Sequence, residues 1–269
     1  RRLIELLKEK RQAVISHAIT KGLDPDVPMK DSGIEWLGEV PAHWEVLPLS
    51  RVLEAIEQGW SPNASNTPAG PNEWGVVKLS SIKKGKFKEG ENKALLPGAD
   101  PDHSLEIKSG DLLVTRANTP ELVGDACIAK KRHHSRLILS DLVYRLTLRK
   151  SADTRIVCWF LISGFGRSQI ESDARGSSMS MAKVSQSHIR SWLLPLPPVT
   201  EQREIADYVA KKTGGIDQLV QTCEEALKLL SERRSALISA AVTGKIDVRG
   251  WQPPLGSSVT TEVTQAETV

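Results

Sequence analysis

The chain has 269 residues, 36 Lys and Arg against 33 Asp and Glu, and a net charge of +3. Hydrophobic residues make up 39%, which supports a real core and excludes a fully disordered chain. No apolar run approaches the ~20 residues needed to span a bilayer, and Arg1-Arg2-Leu3-Ile4-Glu5 is not a secretory opening. Cys127, Cys158 and Cys223 are an odd, widely spaced set, which points away from a disulfide framework or zinc site. They read as buried, inert thiols of a cytoplasmic protein.

The charge is unevenly spread. Residues 23–77 sum to −7 and residues 126–198 to +8. The basic stretch is what a polyanion-binding face needs.

The first element in chain order is half of a repeat. Residues 6–24 (LLKEKRQAVISHAITKGLD) match residues 229–247 (LLSERRSALISAAVTGKID) at ten of nineteen positions. Two copies of one helix end imply a protein built from two units, each a globule followed by a helix. The chain opens inside a helical pattern, so it is expected to be a fragment or a half-length relative of such a protein. The expected divisions are the end of a first helix (1–22), a globule (23–198), a long helix (199–246) and a polar, disordered tail (247–269).

Within the globule, Leu112–Thr115, Cys127–Ala129 and the alternating Leu142–Leu148 read as strands, and Glu73–Leu79 is a further candidate. Gly59–Pro71 reads as a loop, and Arg155–Ser163 and Arg167–Asp173 as helices. The predicted fold is α+β.

The long helix is predicted from Thr200, as N-cap, to Thr243, about 65 Å at ~1.5 Å per residue. Val209, Ile216, Cys223, Leu230 and Leu237 recur every seventh residue, and Leu219 fills an intervening position. This is a coiled-coil seam, weakened at Gly214-Gly215. Its expected partner is the short N-terminal helix, through Leu3, Leu7 and Val14, paired antiparallel.

Catalytic signatures are absent: no phosphate loop, no G-x-G-x-x-G and no nucleophile elbow. Pro101-Asp102 followed by Glu106-Ile107-Lys108 superficially matches a Mg²⁺-dependent nuclease pattern, but at very tight spacing. His133-His134 lacks metal spacing. No metal and no cofactor are expected.

Three stretches suit phosphates and base edges: Lys83, Lys84 and Lys86 in a basic turn; Lys130, Lys131 and Arg132 after a strand; and Arg175, Ser177, Ser178 and Lys183 around a Gly-Ser loop. Arg116 and Asn118 follow a strand and have the donors to read guanine and adenine. The competing reading of each is a solvated surface loop.

At this point the sequence resembles the specificity subunits of type I restriction–modification systems. The resemblance rests on Asp31–Gly38, Pro41–Val46, Gly110–Arg116, Leu122–Gly124, Pro195–Pro198 with Glu201–Ile205, and Arg233–Asp247. It covers nearly the whole chain, which looks like the second half of such a subunit. It implies a target recognition domain and a conserved helix, binding one half of a bipartite DNA target without catalysis. It further implies separate modification and restriction subunits as partners, with the helices and the Pro-Pro…Glu-Gln entry docking the modification subunit. The alternatives are a homodimeric half-subunit on a symmetric target, and the nuclease.

Overall fold

A computed structural model describes residues 2–130, 136–174, 181–247 and 249–250. Helix α1 (Arg2–Lys21) leads into β1 (Met29–Asp31), β2 (Glu39–Pro41), β3 (Glu45–Pro48) and β4 (Leu53–Gln58). Then come β5 (Trp74–Val77), β6 (Ile82–Lys83), β7 (Lys86–Phe87), β8 (Asn92–Ala94), β9 (Leu112–Thr115), β10 (Ala117–Asn118), β11 (Ala126–Ile128), β12 (Arg136–Ile138) and β13 (Val143–Leu148). Helices α2 (Thr154–Ile162) and α3 (Gly164–Ala174), strand β14 (Ala182–Lys183), helix α4 (Gln186–Ser191), strand β15 (Leu193–Leu196) and helix α5 (Val199–Val242) complete the order. The chain divides into two compact units, Arg1–Gln218 and Leu219–Val269.

A four-stranded sheet in the order β11-β9-β13-β4 organises the first unit. Its neighbouring strands are antiparallel. Side chains alternate across a strand, and here each face meets its own core. Leu112, Val114, Ala126, Tyr144 and Leu146 enter the larger cluster, with α2, α3 and the start of α5. Leu113, Cys127 and Val143 point the other way, to Val77, Ile82, Ile107 and Leu137. Strand β9 is therefore buried throughout.

Arg145 sits on the second face and uses its whole guanidinium. It grips Glu57 through Nε (2.7 Å) and Nη2 (2.9 Å). It also donates to Asp111 Oδ2 (3.2 Å) and to the carbonyls of Glu106 (2.9 Å) and Ser104 (2.8 Å). One buried cation thus pins the 104–111 segment to the sheet.

The β6–β7 hairpin turns on Lys84 (φ 47°) and Gly85 (φ 79°), with Lys83 opposite Lys86. Two consecutive positive φ values make a primed two-residue turn, whose twist matches the paired strands. Gly59 is fixed by close approach: a Cβ there would overlap the Leu139 carbonyl.

The helices depart from the sequence reading in three respects. Helix α5 begins at Val199, and the Pro198 carbonyl accepts from Gln202 N at 2.9 Å. Thr200 therefore lies in the first turn and is not the cap. Second, the buried face of α1 is Ile4, Ile15, Ala18 and Ile19, one residue round from the predicted seam; Leu7 and Val14 are half-buried and Leu3 is exposed. The reason is that α1 packs on α2, α3 and β2, so several elements set its apolar face. Third, Val209 joins Ile205 and Ala206 in the first unit's own core.

Ile216 is buried and Cys223 half-buried, while Leu219, Leu230 and Leu237 are exposed. Arg11 of α1 and Asp217 of α5 form an ion pair at 3.2 Å. The expected tail lies almost wholly outside the described residues. No described helix is long and apolar enough to cross a membrane.

Candidate nucleic-acid interface

The register places three chain segments at one end of the four-stranded sheet. Gln58 ends β4 opposite Tyr144, and Thr115 ends β9 opposite Val143. Residues 58–61, 116–118 and 140–142 consequently converge.

Strand β10 leaves this end and pairs with β14, setting Ala117 opposite Lys183 and Asn118 opposite Ala182. Arg116 is locked by its backbone: its N–H donates to the Leu142 carbonyl (2.7 Å), and its carbonyl accepts from Val184 N (2.9 Å). Its guanidinium Nη1 makes a long 3.4 Å contact with the Asp141 carbonyl. Asn118 Oδ1 accepts from Thr119 N at 2.9 Å, and its amide nitrogen is a donor. Arg116 and Asn118 thus share one face of this β-ribbon, while Lys183, distant in sequence and opposite Ala117, lies on the other face of the paired strand.

Sequence reasoning missed the neighbours of this cluster. Gln58 Nε2 donates to the Asp141 carbonyl at 3.3 Å. Ser61 Oγ donates to Asp141 Oδ1 and accepts from Asp141 N at 3.2 Å. Trp60 is 45% exposed beside them, its backbone N–H donating to the Leu139 carbonyl at 3.1 Å. A tryptophan and two polar side chains entering a Gly-Pro-rich loop were the available signal.

The remaining candidates fall elsewhere. Ala126 opens β11 opposite Val114 and Ile128 closes it opposite Leu112, so Lys130 follows the opposite end of the sheet from Arg116. The β6–β7 hairpin lies along β11, with Gly85 bridged to Cys127. Asp125 anchors its turn, accepting from Lys84 N (2.7 Å) and Ala126 N (2.9 Å). Burial pushes the Asp125 carboxyl above the ordinary aspartate range, against the pull of these two N–H groups.

Lys83 is exposed, but Lys86 Nζ is paired with Asp217 at 3.1 Å, the carboxylate that also holds Arg11. Lys86 and Lys130 line a cleft of about 620 Å³ together with Arg11 and Arg155. Lys131, Arg132, Arg175, Ser177 and Ser178, like His133-His134, lie outside the described residues.

The nuclease-like residues have structural partners. Asp102 caps a short turn by accepting from Ser104 N at 2.8 Å. Glu106 pairs with Arg136 at 3.2 Å, and Lys108 N donates to Asp111 Oδ2 at 2.9 Å. Among the described residues no group of three or more His, Cys, Asp or Glu side chains could hold a metal ion.

Within the Pro-Pro…Glu-Gln entry, expected to dock a partner, Gln202 is turned inward, while Pro198, Val199, Thr200, Arg203 and Glu204 are exposed. Gln202 is 1% exposed. Its amide donates to the carbonyls of Ser151 (3.0 Å) and Pro197 (2.8 Å), and its oxygen accepts from Asp153 N (2.7 Å). Glu201 accepts from the Trp44 indole N–H at 3.1 Å and contacts His43 Nε2 at 2.8 Å. These side chains fasten the start of α5 to the globule.

No protein-family model matches the chain. It is 28% identical to the EcoEI type I restriction enzyme specificity subunit of Escherichia coli, over 89% of this chain and 40% of the relative. It is 26% identical to the EcoKI specificity subunit of Escherichia coli K12, over 92% of this chain and 51% of the relative. The chain therefore spans about half the length of these curated relatives. Among solved structures, a chain from a type I R-M system assembly matches with a TM-score of 0.57 at 16% identity, over 89% of this chain and 52% of that one. The HsdS subunit from Thermoanaerobacter tengcongensis matches with a TM-score of 0.51 at 16% identity, over 91% and 53%. The mixed fold with its long C-terminal helix is shared with these neighbours, and over about nine-tenths of its length the chain is homologous to type I restriction enzyme specificity subunits.

Proposed function

We propose that the chain is a DNA-recognition module that reads one half of a bipartite target within a type I restriction–modification complex. The observation that carries this reading is that Arg116 and Asn118 share one face of the β10–β14 ribbon at one end of the sheet, with Lys183 on the paired strand. A two-stranded ribbon fits the major groove, where Arg and Asn make bidentate contacts to guanine and adenine. Lys183 supplies a phosphate contact that sets register. The module is non-catalytic; methylation and cleavage belong to the modification and restriction subunits it directs in the cytoplasm.

The test is binding of fluorescent duplex DNA across a salt series. A log affinity that falls steeply and linearly with log salt supports the reading, because each phosphate contact releases counterions. Salt-independent or undetectable binding refutes it.

A second reading is favoured by the exposed Leu219, Leu230 and Leu237. On it, two copies pair through this helix face and read a symmetric target. Light scattering decides: a dimer supports this reading, and a monomer at high concentration refutes it.

A further inference from the structure

One short turn, residues 139–143, anchors two otherwise separate stretches of chain. The Val143 and Leu139 carbonyls accept from Gly59 N (3.3 Å) and Trp60 N (3.1 Å), and the Leu142 carbonyl accepts from Arg116 N (2.7 Å). The Asp141 carbonyl accepts from Gln58 Nε2 at 3.3 Å and lies 3.4 Å from Arg116 Nη1. The anchors of Trp60 and Arg116, Leu139 and Leu142, are therefore at most about 10 Å apart along the chain. That is about three base-pair steps of ~3.4 Å.

Among the described residues, Trp60 is the one tryptophan that is exposed. The backbone beneath it is held fast. A Cβ on Gly59 would stand 2.3 Å from the Leu139 carbonyl oxygen, so the two segments touch. Ser61 Oγ and Asp141 bond each other reciprocally, and Ala64 bridges to Leu95. A large ring thus stands in water on backbone that has little freedom left to lose on binding, which is the property of a preorganised contact.

The chemistry of the ring narrows its ligand. Indole has one donor and no acceptor, so it reads base edges poorly by hydrogen bonds. Its apolar face suits the apolar group that base pairs present in the major groove, the thymine C5-methyl. We propose that Trp60 is a specificity residue that packs on a thymine methyl, within about three base pairs of the position met by Arg116. This rests on the reading that the ribbon carrying Arg116 enters the major groove. Apolar side chains also wedge between base steps, but those wedges work from the minor groove.

The test uses the full chain and the duplex it selects from a randomised library. Each thymine within about three base pairs of the position where Arg116→Ala loses discrimination is replaced in turn by deoxyuridine, which removes only the methyl. One replacement should weaken binding of the parent about fourfold, the loss of one buried methyl group. Trp60→Ala should bind the thymine and deoxyuridine duplexes equally, and Trp60→Phe should keep most of the preference.

A parent indifferent to every replacement, a motif with no thymine in that window, or a Trp60→Ala variant that still prefers thymine overturns the proposal. So does 2-aminopurine fluorescence in the duplex that brightens with the parent and not with Trp60→Ala, the mark of a wedge. Each of these results leaves sequence-selective DNA binding standing. Failure to select any motif sinks the DNA reading and this proposal together.

Discussion

Trp44 and Glu201 fasten the entrance of the globule to the start of α5. The indole N–H lies 3.1 Å from both carboxylate oxygens of Glu201, and the ring is fully buried. Gly22, at the end of α1, lies against the same pair, since a Cβ there would stand 3.3 Å from Glu201 Oε1 and 3.4 Å from the Trp44 ring. Three separated stretches of sequence thus meet at one hydrogen bond.

Trp44→Phe keeps most of the ring and deletes the donor, so stability should drop by about 1 kcal/mol. Trp44→Ala also opens a cavity and should cost about 3–5 kcal/mol. Urea unfolding followed by far-ultraviolet circular dichroism checks both values and their order.

The Arg145–Glu57 pair predicts an acid response. The Arg145 hydrogen bonds hold the Glu57 carboxyl below the ordinary glutamate value of 4.5. A depressed carboxylate contributes stability that is present above its unfolded pKa and lost as pH falls through its folded one. The stability gap between the parent and Glu57→Gln should therefore be constant near neutrality and shrink below about pH 4.5. Denaturant midpoints from pH 3 to 7 measure it. Arg145→Met strands two carboxylates and two carbonyls and should cost about 3–5 kcal/mol at neutral pH.

One thiol in three should react in the native protein. Burial pushes the Cys158 thiol up to about 12 and raises that of Cys127 as well. Cys223 is only half-buried. Titration with a chromogenic disulfide should show one fast thiol, with the other two released on unfolding. Cys223→Ser should remove the fast phase.

The division between legible and hidden features follows from interaction range. Strands such as Leu112–Thr115 and Val143–Leu148 announce themselves because each buries side chains on alternating faces. Helix α5 is legible from its sevenfold spacing. The β10–β14 ladder is not, because two-residue strands carry no period and their partners lie far apart in sequence. Gln202 misleads for a related reason: a polar residue in a first helical turn reads as exposed, yet distant carbonyls satisfy it in the core. Lys86 reads as a free cation until the fold brings Asp217 beside it.

Lys183 and Arg116 should fail differently on DNA. Lys183→Ala should weaken binding to all sequences alike and reduce the salt slope by about 1. Arg116→Ala should cost about 1–3 kcal/mol on the cognate half-site and little on random duplex. Paired titrations on the two duplexes separate these effects.

The most direct measurement is selection of preferred duplexes from a randomised library, by the parent and by Arg116→Ala and Asn118→Ala variants with unchanged circular dichroism. The account predicts a short motif for the parent, with discrimination lost at one base position in each variant. The same motif recovered by all three proteins would contradict it.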